Sequence, residues 1–195
     1  MASKEDILEQ LVEEFLIHRG YFVRHNIKFL PRKDHPDYIS NQDSNHSDID
    51  VLGFHPKLDG PDRVWAVSCK SWQAGLNPEK KIKQIEENKI VSGREAWRGF
   101  RELVVPKWSE AFVAAVKEAS GEPEFTYVTA ITRLKGAAEI WERHRPFVQA
   151  MEGNPLKVLT LNDMLHEVSS ALSTTVAGTE LGRTLQLFKA AGVKL

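Results

Sequence analysis

Apolar residues first recur at helical spacing: Ile7, Leu8, Leu11, Val12, Phe15 and Leu16 share one face of a helix expected over 4–19. Ser3 is a candidate N-cap with Asp6 three residues on, the first turn is acidic, and Gly20 stands where a C-terminal cap belongs. The run 21–30 then reads as a strand that Pro31 ends. Residues 32–47 are polar and rich in Pro, Asn and Asp, so a loop is expected, long enough to suggest a functional or mobile segment. Two apolar runs follow, 48–54 and 63–70, with Gly60 and Pro61 in the turn cluster between them. They predict an antiparallel hairpin.

Beyond a short connector over 71–78, helices are expected over 79–92, 94–103 and 109–119, with Pro106 separating the last two. The β-branched and aromatic run 125–133 predicts a central strand. A helix over 137–151 must be kinked or broken at Pro146, and 156–161 reads as a last short strand. Asn162 or Asp163 can cap a helix running to about 172, and a terminal helix is expected over 179–191. Strands that begin as a hairpin and later alternate with helices predict an α/β fold, a three-layer α/β/α sandwich over a central mixed β-sheet. A chain of 195 residues suits one domain, with a core at about 4–135 and a C-terminal extension at about 136–195.

Composition narrows the function classes. Apolar residues make up 42%, enough for a real core, so whole-chain disorder is not expected. Net charge is −1, so any contact with nucleic acid must rest on local patches rather than overall charge. The lone Cys69 leaves no internal disulfide, and its neighbours in sequence make it a small core residue rather than a nucleophile. The start of the chain lacks a signal-like apolar core and no apolar run is long enough to span a membrane, so a cytoplasmic, non-membrane setting is expected. The histidines show no metal-ligand spacing.

The hairpin carries the candidate chemistry. It would bring Asp50 on one strand near Ser68 and Lys70 on the other, and the latter two, being two residues apart, share a face. An acid and an amine on neighbouring strands suit a metal-dependent phosphodiesterase, because Mg²⁺ or Mn²⁺ prefers oxygen ligands and a lysine can orient water or offset phosphate charge. Asp48, two residues before Asp50, could add a carboxylate to the same site. Basic residues that could meet phosphates are Arg24, Lys28, Arg32 and Lys33 around the first strand, and Lys80, Lys81 and Lys83 on the following helix.

Glu9 in ILEQLVEEFLIHRGYFV, Asp50 in SDIDVLGF and Ser68-Cys69-Lys70 in VWAVSCKSW occur in an order and spacing that resembles the PD-(D/E)xK nuclease superfamily. The likeness is to its Mrr-like restriction endonucleases and Holliday-junction resolvases, and it covers roughly residues 5–90. It implies a restriction endonuclease-like fold and a Mg²⁺- or Mn²⁺-dependent DNA endonuclease. Asp50, with Glu9 or Asp48, would then hold the ion, and Lys70 would position water or stabilise the transition state. Gln84 matches a position where resolvase-like members often carry a polar residue. The departure is Ser68, which stands where the family's ExK motif has its carboxylate, although some Mrr-like members carry a glutamine there. Glu9 could supply the missing acid. DNA is the expected partner and a homodimer is possible for two-strand cutting. Two alternatives stay open: a catalytically inactive nuclease-fold module that binds nucleic acid or a protein, and an unrelated α/β enzyme in which Asp50 and Lys70 lie far apart.

Overall fold

A computed structural model describes residues 7–72, 74–172 and 176–193. In chain order the elements are α1 (Ile7–His18), β1 (Phe22–Phe29), α2 (Ser40–Asp43), β2 (Ser47–Phe54), β3 (Val64–Lys70) and α3 (Pro78–Glu86). Then come β4 (Ile90–Val91), β5 (Arg94–Glu95), α4 (Arg101–Val104), α5 (Pro106–Ser120) and β6 (Thr126–Ile131). The last are α6 (Glu139–Glu142), α7 (Arg145–Ala150), β7 (Leu156–Thr160), α8 (Leu161–Ala171) and α9 (Glu180–Ala190).

The fold is α/β around a five-stranded mixed sheet of order β1-β2-β3-β6-β7. The first three strands are antiparallel neighbours, whereas β3, β6 and β7 run parallel. Helices cover both faces. The apolar stripe of α1 packs with α8 and α9 over Val51, Trp65, Val67 and Val128. On the other face α3, α4, α5 and α7 bury Leu52, Ala66, Tyr127 and Ile131 with a run of edge-to-face rings, among them Phe100–Trp141 at 4.8 Å.

The hairpin and the outer elements match the sequence pattern. Gly20 ends α1 in the left-handed conformation, φ 89°, as a C-terminal cap requires. The expected cap at Ser3 and its partner Asp6 lie outside the described residues. Within 32–47 a single helical turn, α2, interrupts the loop, and a buried ion pair pins it: Lys107 Nζ donates to Asp43 Oδ2 at 2.6 Å and to the Asp37 carbonyl at 2.8 Å.

Two helical expectations are corrected, and the break expected within 137–151 is found. The helix expected over 79–92 stops at Glu86, because Asn88 turns to φ 46° and Ser92-Gly93 (φ 53° and 77°) closes a two-residue hairpin between β4 and β5. Two successive positive φ values give the turn whose twist matches paired strands. The helix expected over 94–103 is instead β5, a 3₁₀ turn over 96–100 and the short α4, with Phe100 at φ −142° breaking the spiral. The span 137–151 is two helices, and Pro146 sits in the first turn of the second, where its missing N–H costs nothing. Pro106 likewise starts α5 rather than merely separating helices. The cap of α8 is Thr160, with Asp163 as the reciprocal partner of a capping box.

Glu14, on α1, is fully buried and ties the two ends of the chain together. Its carboxylate accepts from the backbone N–H groups of Gly178 (2.9 Å) and Thr179 (2.7 Å) and from the Thr179 hydroxyl (2.6 Å), at the N-terminus of α9. The anion answers both the unpaired amides and the positive end of that helix. Glu14→Ala is expected to cost about 2 kcal/mol in urea unfolding, since three donors, two of them buried, lose their acceptor. A cost below about 0.5 kcal/mol would show that the cap contributes little.

Candidate functional site

The site begins where β2 and β3 part. Their pairing runs from Phe54↔Val64 to Val51↔Val67 and goes no further. Past that point β3 continues against β6 (Ser68↔Thr129, Lys70↔Ile131), while β2 continues against β1 (Ile49↔Ile27, Asp48↔Lys28). Asp50 stands at the fork. Ile49 packs in the cluster beneath α5, yet Val51, two residues on, packs beneath α1, so the strand's alternation switches face at Asp50. Opposite it, Asn26 adopts φ 53°, a conformation Asn tolerates better than most residues. The Asp50 carboxylate takes over from the interrupted ladder and accepts the Cys69 backbone N–H at 2.6 Å.

Ser68 is buried at the fork, and its hydroxyl donates to Oε1 of Glu102, on α4, at 3.3 Å. The Tyr127 hydroxyl donates to the same oxygen at 2.7 Å, and Glu102 itself is only 6% exposed. Both bonds fall on Oε1. Lys70, on the same face as Ser68, lays its ammonium 5.6 Å from the Phe100 ring centre. Burial pushes the Asp50 carboxyl above its ordinary pKa. The Lys70 charge and the Cys69 N–H pull it back, and the Glu102 and Asp48 carboxylates push it up again. Burial, reinforced by Glu102, likewise holds the Tyr127 hydroxyl well above its ordinary value, so Tyr127 remains a donor at neutral pH.

The structure therefore brings Asp50, Ser68 and Lys70 together, as the hairpin pattern requires, and adds Glu102, which no sequence motif marks. Asp48 stands within electrostatic reach of Asp50 but is exposed, opposite Lys28. Glu9 is half-buried on α1, whose apolar stripe covers the other face of the sheet, and it is not among the groups acting most strongly on Asp50. Among the described residues no three His, Cys, Asp or Glu side chains are grouped to hold a metal.

The basic residues divide into two groups. Arg24 and Lys28 are exposed on edge strand β1, and Arg32, exposed beside Lys33, pairs with Asp34 at 3.6 Å. On α3, Lys83 pairs with Glu87 at 3.8 Å. Lys80, Lys81 and Gln84 instead border a groove of about 1270 Å³, and Lys81 Nζ lies 5.0 Å from the Trp72 ring centre. Trp72 packs edge-on against Phe100, the ring that Lys70 touches, so the groove opens beside the fork. Cys69 packs on the opposite face, half-buried at the margin of that cluster rather than in its core. No helix among the described residues is long and apolar enough to cross a membrane.

No protein-family model, no curated protein and no solved structure matches the chain.

Proposed function

We propose that the chain is a Mg²⁺- or Mn²⁺-dependent DNA endonuclease of restriction endonuclease-like fold, in which Glu102 supplies the carboxylate that Ser68 does not. The observation that carries this reading is the fork itself, where two carboxylates from different elements, Asp50 and Glu102, stand within electrostatic reach of each other, with Lys70 acting on Asp50 from the same fork. Two acids that repel each other in a poorly solvated region, one of them with its pKa pushed up, form a site that favours added positive charge.

The donor set fits a hard cation. Asp50 and Glu102 offer carboxylate oxygens, with the Ser68 hydroxyl bonded to Glu102, and Mg²⁺ is commonly held by one or two carboxylates together with substrate phosphate and water. Bound there, the ion would polarise a phosphoryl oxygen and lower the pKa of a coordinated water. The chain's own residues do the rest. The Cys69 N–H fixes the Asp50 carboxylate, and Tyr127 and Ser68 fix that of Glu102 through Oε1, while no hydrogen bond among the described residues falls on Oε2. Lys70 brings a positive charge to the same face, where it can orient the attacking water or offset the charge gathering on the phosphate. Glu9 and Asp48 are not needed as ligands in this arrangement.

The test is nicking of supercoiled plasmid with Mg²⁺ or Mn²⁺. Lys70→Ala is expected to slow nicking about a hundredfold or more, the order lost when one preorganised electrostatic contact is removed. Nicking at the wild-type rate in that variant would sink the assignment. Ser68 at the motif position favours one rival, a non-catalytic module that binds nucleic acid; it predicts DNA binding with no metal-dependent nicking at all.

A further inference from the structure

The groove beside the fork carries charge out of proportion to the chain. Net charge is −1 over 195 residues, yet the groove is lined by Lys80, Lys81, Arg94, Arg98, Arg101 and Lys135 against a single carboxylate, Glu95. Glu95 is already engaged by Arg98, and no ion pair is formed by Lys80, Arg94 or Lys135 among the described residues. Lys81 is half-buried, and burial with the neighbouring Lys80 charge holds its pKa below the ordinary value. Cations that a fold gathers without counter-charges are in effect a site for a polyanion.

The walls are built rather than accidental. Gly75 lies at φ 73° with the Arg133 carbonyl 2.4 Å from where a Cβ would stand, so only glycine permits this approach. That contact is locked by Leu76 N–H to the Arg133 carbonyl (2.8 Å) and Lys135 N–H to the Leu76 carbonyl (2.7 Å), which fixes Lys135 at one rim. The β4–β5 hairpin forms the other wall. It is anchored to α3 by Lys89 N–H to the Gln84 carbonyl (2.8 Å) and closed on itself by Ala96 N–H to the Lys89 carbonyl (2.9 Å). A lone two-stranded ribbon is marginal in water, and this one leaves Ile90 63% exposed. The cost of presenting it is intelligible if it meets a ligand.

We propose that this groove binds the phosphodiester backbone of a nucleic-acid strand and guides it to the fork, with the β4–β5 hairpin as the outer clamp and Arg94 and Lys135 as phosphate contacts on opposite rims. The inference rests on reading the fork as a site that acts on phosphodiesters. It assigns the path of the substrate to the hairpin side, not to the basic residues of β1.

The test separates binding from cleavage. Anisotropy of a fluorescein-labelled DNA duplex, and of one of its strands alone, is followed in EDTA at several salt concentrations. Arg94→Glu/Lys135→Glu is compared with a charge-matched control, Lys57→Glu/Arg143→Glu, in which both residues are exposed and lie outside the groove lining. The groove variant is expected to bind at least about tenfold more weakly, and its slope of log affinity against log salt to flatten by about two, one per lost phosphate contact. The control should stay within about threefold of wild type, with thermal melting unchanged in both variants. Equal losses in the two variants, no binding of either DNA by wild type, or competition by polyglutamate as effective as by DNA would overturn the proposal. Groove-dependent binding without any metal-dependent nicking would keep the groove and remove the enzyme. Nicking by wild type that the groove variant retains in full would do the reverse.

Discussion

Asp50→Asn is expected to make the protein more stable at neutral pH while reducing nicking to background. Asp50 is half-buried, and burial outweighs the help it receives from Lys70 and the Cys69 N–H, so its folded pKa stands above the unfolded value. Between those two values the folded protein holds a proton that the unfolded chain has released. The stability associated with Asp50 is therefore full below the unfolded value, about 4, and is lost as pH rises through the folded one. At pH 7 the ionised group is a net burden. Asparagine keeps an acceptor for the Cys69 N–H and carries no charge, so Tm in EDTA should rise at pH 7 and the gain should shrink as pH falls toward about 4. Activity should fall roughly a thousandfold, the scale of the several kcal/mol a metal site supplies to a transition state. Millimolar Mg²⁺ or Mn²⁺ should raise the Tm of wild type by mass action and leave that of Asp50→Asn in place. An equal metal-induced shift in both proteins, or a lower Tm in the variant at pH 7, would reject the reading of Asp50 as a strained ligand.

Much of this arrangement is legible in the chain, because it depends on local pattern. The apolar runs 48–54 and 63–70 and the Gly60-Pro61 turn are enough for an antiparallel hairpin, and the i, i+2 spacing puts Ser68 and Lys70 on one face. The fork between the strands is not legible. It depends on β6 capturing the end of β3 and on the face switch at Asp50, both non-local. Glu102 is invisible for the same reason. It lies in a short helix whose sequence, RELV, says only that it is helical, and 34 positions separate it from the serine it contacts. The β4–β5 hairpin did carry a signal, since Ile90-Val91 followed by Ser92-Gly93 is β-branched residues leading into a turn pair, but lysine-rich helical propensity upstream masks it. Glu14 and Glu9 show the converse. Both border the same apolar stripe, and only the distant Thr179 makes one of them the buried acid.

The second large effect concerns Glu102, and Glu102→Gln isolates it. Glutamine keeps a side-chain oxygen to accept from Ser68 and Tyr127, so a purely structural Glu102 predicts a folded variant with nearly full nicking. A carboxylate that holds the ion predicts the same fold, a loss of roughly a hundredfold or more in nicking, and a reduced Tm shift with Mg²⁺ or Mn²⁺. The swap sharpens the contrast. Ser68→Glu alone sets a second buried carboxylate against Glu102, whose Oε1 is only 3.3 Å from the serine oxygen. Crowding and like-charge repulsion should destabilise it without raising activity. In Ser68→Glu/Glu102→Ala the space and the charge are both released, and the new carboxylate stands on the strand face that Tyr127 already addresses. That double variant is expected to nick at least about tenfold faster than Glu102→Ala, an interaction energy that neighbouring residues in one hydrogen-bonded network can supply. If the double variant folds but nicks no faster than Glu102→Ala, and Glu102→Gln nicks like wild type, then Glu102 is a structural partner of Ser68 and Tyr127, and the fork holds its ion, if it holds one, without it.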